Sequence, residues 1–227
     1  MKYNFDQIIS RKETHSTKWL KFSDAEVIPM WIADMDFLCP PEITKPMIQR
    51  IDEGVFGYTD TPQSLTDTFI EKTKSNTGWQ IDKDWVVWVP GGVVGLNVAC
   101  KTVLAPGDMA MVPSPIYAPF TEAPENMERG FVKTYLKDSN GRLEFDFDEI
   151  KTLLSEDTKL LFLCNPHNPG GSVFSQEELI ELSRLCEENG VIVCSDEIHS
   201  DLVLDKGLRH IPFATINEHN QENSITI

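Results

Sequence analysis

The sequence has 227 residues, 41% of them hydrophobic, and a formal net charge of −16 at pH 7. This length suits one large α/β domain or one and a half smaller ones. The acidic balance is ordinary for a soluble protein and argues against nucleic acid or an anionic membrane as a partner, because both attract clusters of Lys and Arg. The five cysteines form no C-x-x-C pair, and no apolar run approaches the roughly 20 residues of a membrane helix. We therefore expect a cytoplasmic protein with reduced thiols.

The first 40 residues do not follow the rhythm of the rest of the chain. Residues 27–37 are apolar and extended in character, and we interpret them as an N-terminal arm. A helix is predicted over Pro41–Ile51, and a second one follows Pro62, where Ser64 is a candidate N-cap.

Beyond residue 80, short β-rich runs alternate with helical stretches, which predicts a mainly parallel sheet in three α/β/α layers. The predicted strands are Trp85–Val89, Met109–Val112, Phe131–Leu136, Leu160–Cys164 and Val191–Ser195, with further strands beginning at Asp201–Leu204 and Ser224–Ile227. The predicted helices are Gly92–Leu104, Pro119–Asn126, Phe147–Leu154 and Gln176–Asn189. Because domains rarely end inside an apolar strand, we expect the large domain to be truncated at its C-terminal end.

A glycine-rich turn at residues 89–95 joins a predicted strand to a predicted helix. Gly91 and Gly92 allow a close backbone approach, and the helix start at Val93 offers unpaired amides and a positive dipole end to a phosphate. A plain structural turn is the commoner origin of such a pattern. Neither a Walker lysine nor a G-x-G-x-x-G motif accompanies it, so a nucleotide fold gains no support.

Two more segments follow buried strands and lie at strand carboxyl ends, where open α/β sheets bind ligands. Residues 164–172 form a loop of asparagines, prolines and glycines, in which the prolines restrict Asn165 and Asn168. Residues 191–201 lead from four apolar residues into Asp196, with His199 three positions later. A lone aspartate at this place is usually an N-cap or a surface residue, but the convergence of these loops on one edge favours function.

These segments, in this order, resemble the fold-type I pyridoxal-phosphate enzymes of aminotransferase class I and II, and among them the MalY/PatB-like cystathionine β-lyase branch. The matching motifs are WIADMDF at 31–37, FGYT at 56–59, PGGVV at 90–94, PSPIYAPF at 113–120, NPHNPGG at 165–171 and SDEIHSD at 195–201. The resemblance implies an N-terminal arm with part of a small domain over residues 1–45. It implies a cofactor-binding large domain over residues 46–227.

The resemblance implies pyridoxal 5′-phosphate as cofactor and assigns roles to matching positions. Asp196 would pair with the pyridine nitrogen, and Asn168 would bind the phenolic oxygen with His199 beside it. Tyr117 would stack on the ring. Gly92, Val93 and Val94, at the helix start, would hold the phosphate. Tyr58 would contact the phosphate of the neighbouring subunit of a homodimer, and Ala33 would lie near the amino-acid substrate.

One family feature has no match. The resemblance implies a lysine that binds the cofactor covalently, in a serine-rich motif shortly after the strand that begins near Ser224. The last lysine of the sequence is Lys206, ten residues past Asp196 and before that strand, and we do not assign it this role. No catalytic residue is therefore assigned, and residues 1–227 by themselves are expected to show no turnover.

For the intact protein the resemblance implies carbon–sulfur β-elimination, which yields a thiol, pyruvate and ammonia from cystathionine or a cysteine-type amino acid. An aminotransferase on the same scaffold is the alternative within the enzyme class. A non-catalytic fragment or a regulatory binding protein is the alternative outside it, and the unmatched lysine is the feature that favours this reading.

Overall fold

The computed structural model describes residues 3–22, 24 and 26–227. The chain divides into two compact units, Met1–Asp60 and Thr61–Ile227. The expected arm and partial small domain over residues 1–45 concern the family's domain pattern and stay a prediction.

The first unit contains a charged cluster at the carboxylate of Asp36. It contains the short helix α1 (Thr17–Leu20) and helix α2 (Pro41–Glu53). Lys18 Nζ, Trp19 Nε1 and Arg11 Nη1 all donate to Asp36, at 2.8, 2.8 and 2.9 Å. These hydrogen bonds hold the pKa of Asp36 well below its usual range. The predicted arm is therefore held to the α1 region by a charged cluster.

The second unit contains a five-stranded parallel sheet in the order β2-β1-β5-β6-β7 and a separate antiparallel hairpin, β3–β4. The strands are β1 (Met109–Ser114), β2 (Gly130–Tyr135), β3 (Lys137–Ser139), β4 (Arg142–Glu144), β5 (Thr158–Cys164), β6 (Ile192–Asp196) and β7 (Ser224–Thr226). Its helices are α3 (Gln63–Thr77), α4 (Gly92–Val103), α5 (Pro119–Asn126), α6 (Phe147–Leu153), α7 (Gln176–Asn189) and α8 (Glu218–Glu222).

Alternate residues of the strands feed two apolar clusters, one on each face of the sheet. On β5, Phe162 faces α4 and α5 in one cluster, whereas Leu161 and Leu163 face α7 in the other. The predicted three-layer α/β/α architecture is confirmed. Three predicted buried thiols, Cys100, Cys164 and Cys194, are buried as expected, and Cys186 is buried as well.

Three local predictions are wrong. Residues 85–89 do not form a strand: Asp82 caps a 3₁₀ helix at Lys83–Trp85, and no described strand pairs with the residues that follow. Residues 201–204 do not begin a strand, because backbone hydrogen bonds turn the chain into a 3₁₀ helix at Ser200–Leu202. Ser64 does not cap α3, because the helix begins one residue earlier and Pro62 occupies the N-cap position.

The hairpin β3–β4 was not predicted, although its turn carries a recognisable signal. Asn140 and Gly141 both have positive φ angles, 55° and 83°, as the tight turn of a two-residue hairpin requires. Within the described residues, none of the helices is long and apolar enough to cross a bilayer.

Candidate functional site

The candidate site lies along the carboxyl ends of the parallel strands, where β1, β5 and β6 pass into loops. Cys164 and Asp196, the last residues of β5 and β6, are partners in the ladder. Phe162 and Cys194, two positions earlier on the same strands, belong to the apolar cluster under α4 and α5. Because side chains two positions apart share a face of the sheet, Cys164 and Asp196 also lie on this face. The strand register therefore turns the Asp196 side chain toward the layer that contains the start of α4.

The start of α4 is shaped by a glycine whose backbone other residues avoid. Gly91, the N-cap, has φ 118° and ψ 156°, and its carbonyl accepts the amide of Gly95 at 3.2 Å. The amides of Gly92, Val93 and Val94 precede the first intrahelical bond and have no acceptor from an earlier turn. Together they present three N–H groups and the positive end of a 12-residue helix, an arrangement suited to an anion.

The loop after β5 is tied to both neighbouring strand ends. The amide of Asn165 donates to the carbonyl of Asp196 at 3.0 Å, and its side-chain oxygen accepts from Phe174 N at 3.1 Å. The amide of Asn168 donates to the thiol sulfur of Cys164 at 3.3 Å, and its carbonyl accepts from Tyr117 N at 3.2 Å. Backbone contacts thus bring Tyr117 and Asn168 together and leave their side chains for other partners.

Gly170 allows the hairpin to pack closely against this loop. A Cβ atom at this position would lie 2.5 Å from Leu143 Cδ1 and 2.7 Å from His167 Nδ1. The hairpin also donates Leu143 N to Ser172 Oγ at 3.0 Å. The loop that carries Asn168 is therefore supported from the side by β4.

Asp196 is a buried carboxylate with few partners. It is 8% exposed, and among the described residues only the amide of Ile198 donates to its carboxylate, reaching Oδ1 at 3.0 Å. Burial raises the pKa of Asp196, while the Ile198 amide and nearby His199 partly oppose this. A cation beside the second oxygen would relieve the cost of burying this charge.

The other predicted site residues are less buried than Asp196. His199 is half-buried and immediately precedes the 3₁₀ helix Ser200–Leu202, and Tyr117 is 47% exposed. Tyr58 and Ala33 are exposed in the first unit, so their roles stay predictions. Lys206 is exposed in a turn.

Two supporting residues were missed at the sequence level. Cys164 was predicted only as a buried thiol, but its sulfur holds the Asn168 amide. Glu197 was part of a matching motif without a role, yet its carboxylate lies 2.6 Å from His210 Nε2 in the protein interior. The acidic pair at 196–197 directly after an apolar strand was the available signal for Glu197.

The edge thus offers an anion-binding helix start, the amide side chain of Asn168, which has no hydrogen-bond partner among the described residues, an exposed aromatic ring and a buried carboxylate. Ile227 connects the start of α4 to the end of β6, since its amide donates to Ser195 O at 2.9 Å and its side chain would lie 3.6 Å from a Cβ on Gly92. These groups suit a ligand with a phosphate at one end, for the amides of the helix start, and a cationic ring nitrogen at the other, for the carboxylate.

Comparisons with known proteins show which family the chain resembles. The family described as Aminotransferase class I and II matches residues 25–223. Cystathionine beta-lyase PatB of Bacillus subtilis is 40% identical over 228 residues, covering 98% of this chain and 59% of PatB. The crystal structure of OvoB matches with a TM-score of 0.93 and 41% identity, covering 99% of this chain and 59% of that one.

A PLP-bound C–S lyase from Staphylococcus hominis matches with a TM-score of 0.90 and 34% identity, covering 100% of this chain and 58% of that one. The chain therefore spans less than two thirds of the length of these relatives. The predicted resemblance is confirmed over almost the whole sequence, and the chain belongs to the aminotransferase class I and II family.

Proposed function

We propose that the carboxyl edge of the sheet holds pyridoxal 5′-phosphate, and that the protein containing this sequence is a C–S β-lyase. The observation that carries the proposal is the buried carboxylate of Asp196, which has one hydrogen-bond donor among the described residues and faces the layer of the α4 start. The similarity to PatB and to the C–S lyase of Staphylococcus hominis supports the reaction class.

Different residues suit the phosphate, the phenolic oxygen and the ring of the cofactor. The amides of Gly92, Val93 and Val94 hold the phosphate, since they combine unpaired N–H groups with a helix dipole. Asn168 donates its side-chain amide to the phenolic oxygen, and His199 lies beside it. Tyr117 would supply an aromatic ring for stacking on the cofactor ring.

Asp196 controls the electronic state of the site. Its carboxylate stabilises a protonated ring nitrogen, because an opposite charge in a desolvated place favours the charged form of its partner. Bound pyridoxal phosphate supplies an electron sink for the bond that breaks at the substrate Cα. Asp196 holds the proton at the ring nitrogen, and no residue of 1–227 is assigned to proton transfer at the substrate.

Two contacts reach beyond this edge in the proposal. Ala33 borders the bound amino acid, and Tyr58 contacts the phosphate held by the neighbouring subunit of a homodimer. Both residues are exposed in the first unit, as residues that meet a substrate or a second subunit must be. The substrates in this proposal are cystathionine and cysteine-type amino acids, which lose a thiol and yield pyruvate and ammonia.

The alternative within the family is an aminotransferase, and relatives named aspartate aminotransferase match at 26% identity. Product analysis separates the two. The intact protein that contains this sequence, purified and supplied with pyridoxal phosphate and L-cystathionine but no keto acid, is expected to release pyruvate and ammonia in equal amounts. Asp196→Asn is expected to suppress this release, whereas Asp201→Asn, at an exposed site paired with Lys72, serves as the control. Consumption of cystathionine that strictly requires a keto acid, with no pyruvate formed, would contradict the lyase assignment.

A further inference from the structure

Glu197 is buried although it adjoins an exposed residue. It is 7% exposed, whereas Ile198 is 65% exposed. Its Oε1 accepts from Ser195 Oγ at 2.8 Å and from Phe213 N at 2.9 Å, and its Oε2 lies 2.6 Å from His210 Nε2. Three partners hold this buried carboxylate in place firmly, because a hydrogen bond to a charged group is stronger than one between neutral groups.

The backbone around Glu197 is fixed as well. The peptide unit between residues 196 and 197 uses both of its polar groups: the carbonyl of Asp196 accepts from Asn165 N at 3.0 Å, and the amide of Glu197 donates to Ile227 O at 2.8 Å. This unit therefore connects the end of β5 to the residue after β7. The carbonyl of Glu197 then accepts Ser200 N at 2.8 Å, which begins the 3₁₀ turn.

Asp196 and Glu197 face opposite sides of β6. Glu197 shares a side with Ser195, to which it bonds, and Asp196 points to the other side, as alternation in a strand requires. Among the described residues, one bond orients the carboxylate of Asp196, from Ile198 N to Oδ1 at 3.0 Å. The position of that amide depends on residue 197, which precedes it directly.

We propose that Glu197, locked to His210, Ser195 and Phe213, is a positioning residue that aims the Asp196 carboxylate into the cofactor site. The carboxylate of Glu197 closes the loop of residues 198–212 onto β6 and so fixes the turn that carries the Ile198 amide. Loss of the Glu197 side chain frees this turn, and the Asp196 carboxylate loses its orientation. The role at the ring nitrogen rests on the proposed function, whereas the effect on the turn does not.

The chain offers a matched control in Glu149. Its Oε2 also accepts one hydroxyl and one backbone amide, from Thr134 Oγ1 at 2.7 Å and Tyr135 N at 2.6 Å. Glu149 belongs to α6 and supports β2, the outermost strand on the other side of the sheet. Glu149→Ala therefore removes similar bonds without touching the turn after β6.

The first experiment measures amide hydrogen exchange in the protein without cofactor. Glu197→Ala is expected to speed exchange at the amides of Ile198 and Asn165 by roughly tenfold or more. Glu197→Gln is expected to restore most of the protection, since its amide oxygen can accept the same two donors. Glu149→Ala is expected to leave both amides unchanged. Unchanged exchange in Glu197→Ala, or an equal change in Glu149→Ala, would overturn the proposal.

The second experiment uses pyridoxamine 5′-phosphate labelled with ¹⁵N in the ring. Its amine cannot bond covalently to a lysine, so binding reports the noncovalent site. The ¹⁵N resonance is expected to indicate a protonated ring in the wild-type protein and to move toward the neutral value in Glu197→Ala, with rescue in Glu197→Gln. An unmoved resonance in Glu197→Ala would refute the positioning role.

The two experiments separate the possible failures. If the wild-type protein does not bind the labelled compound, the proposed function fails, while the exchange data still decide whether Glu197 fixes the turn. If Glu197→Ala does not fold, the milder Ser195→Ala, which removes one of the three partners, takes its place. It is expected to speed exchange at Ile198 in the same direction, and unchanged exchange there would contradict the proposal.

Discussion

Asp196 and Cys164 face each other across the β5–β6 ladder, each as the last residue of its strand. This one pair places two parts of the site, because Cys164 holds the Asn168 amide through its sulfur while Asp196 presents a buried carboxylate. A shift of the register by one residue would turn Asp196 to the opposite face of the sheet. The pairing register of β5 and β6 therefore determines the face of the sheet on which the Asp196 carboxylate lies.

Asp196→Asn is expected to stabilise the protein without cofactor at neutral pH. Burial raises the pKa of Asp196 from its ordinary value of 3.8, so folding disfavours the ionised form. The contribution of Asp196 to stability is thus fully present below that ordinary value and is lost as the pH rises through the raised value. The gain of Asp196→Asn in urea unfolding should be largest at pH 7 and shrink toward pH 4. A variant less stable than wild type at pH 7 would contradict this.

Gly91→Ala is expected to disturb the anion site at the start of α4. The backbone at Gly91, with φ 118°, strains any residue that has a side chain, by about 1–3 kcal/mol. Gly107→Ala is the matched control, because Gly107 has φ 101° and also has open space around a Cβ. Both variants should lose stability. Only Gly91→Ala should lower the affinity for pyridoxamine 5′-phosphate more than the affinity for pyridoxamine, as measured by calorimetry. An unchanged ratio of the two affinities would exclude a phosphate contact here.

Tyr117→Ala is expected to lower the affinity for pyridoxamine 5′-phosphate, and Tyr117→Phe is expected to leave this affinity nearly unchanged. A stacked aromatic contact contributes about 0.5–1.5 kcal/mol, so the loss should be roughly twofold to twelvefold. The backbone bond from Tyr117 to Asn168 survives both changes. Tyr135→Ala, at an exposed tyrosine on β2, provides the control in the same titration. Equal affinities of Tyr117→Ala and wild type would remove Tyr117 from the site.

Gly170→Ala is expected to destabilise the protein by about 1–3 kcal/mol, because its Cβ would overlap Leu143 and His167. In a Leu143→Ala background the cost should be smaller, since the nearest overlapping atom, Leu143 Cδ1 at 2.5 Å, is absent. A double-mutant cycle in urea measures this coupling. Strict additivity of the two changes would show that the hairpin does not support the loop.

Most of the sheet could be predicted because its signals are local. Buried parallel strands such as β5 consist of continuous apolar residues, and helices such as α7 carry a capping box, formed by Ser175 and Glu178. The carboxyl-edge position of Asp196 followed from the same pattern. The pairing of that edge with the α4 start required only the general rule for ligand sites in open α/β sheets.

Other features depend on partners that sequence patterns do not name. Residues 85–89 are rich in valine and tryptophan, as strands are, but a strand needs a hydrogen-bonding neighbour and none of the described strands supplies one. The bond between Glu197 and His210 joins residues 13 positions apart through a loop without regular alternation. The role of Cys164 depends on the folding of the loop over its sulfur.

The cofactor site is tested most directly by titration calorimetry, which measures the affinity of pyridoxamine 5′-phosphate for the wild-type protein, Asp196→Asn and Asp201→Asn. We expect one site per chain in the wild type and an affinity about 10- to 100-fold lower in Asp196→Asn, which loses a charged hydrogen bond. Asp201→Asn should bind like the wild type. No binding by the wild type, or equal binding by Asp196→Asn, would contradict a cofactor site centred on Asp196.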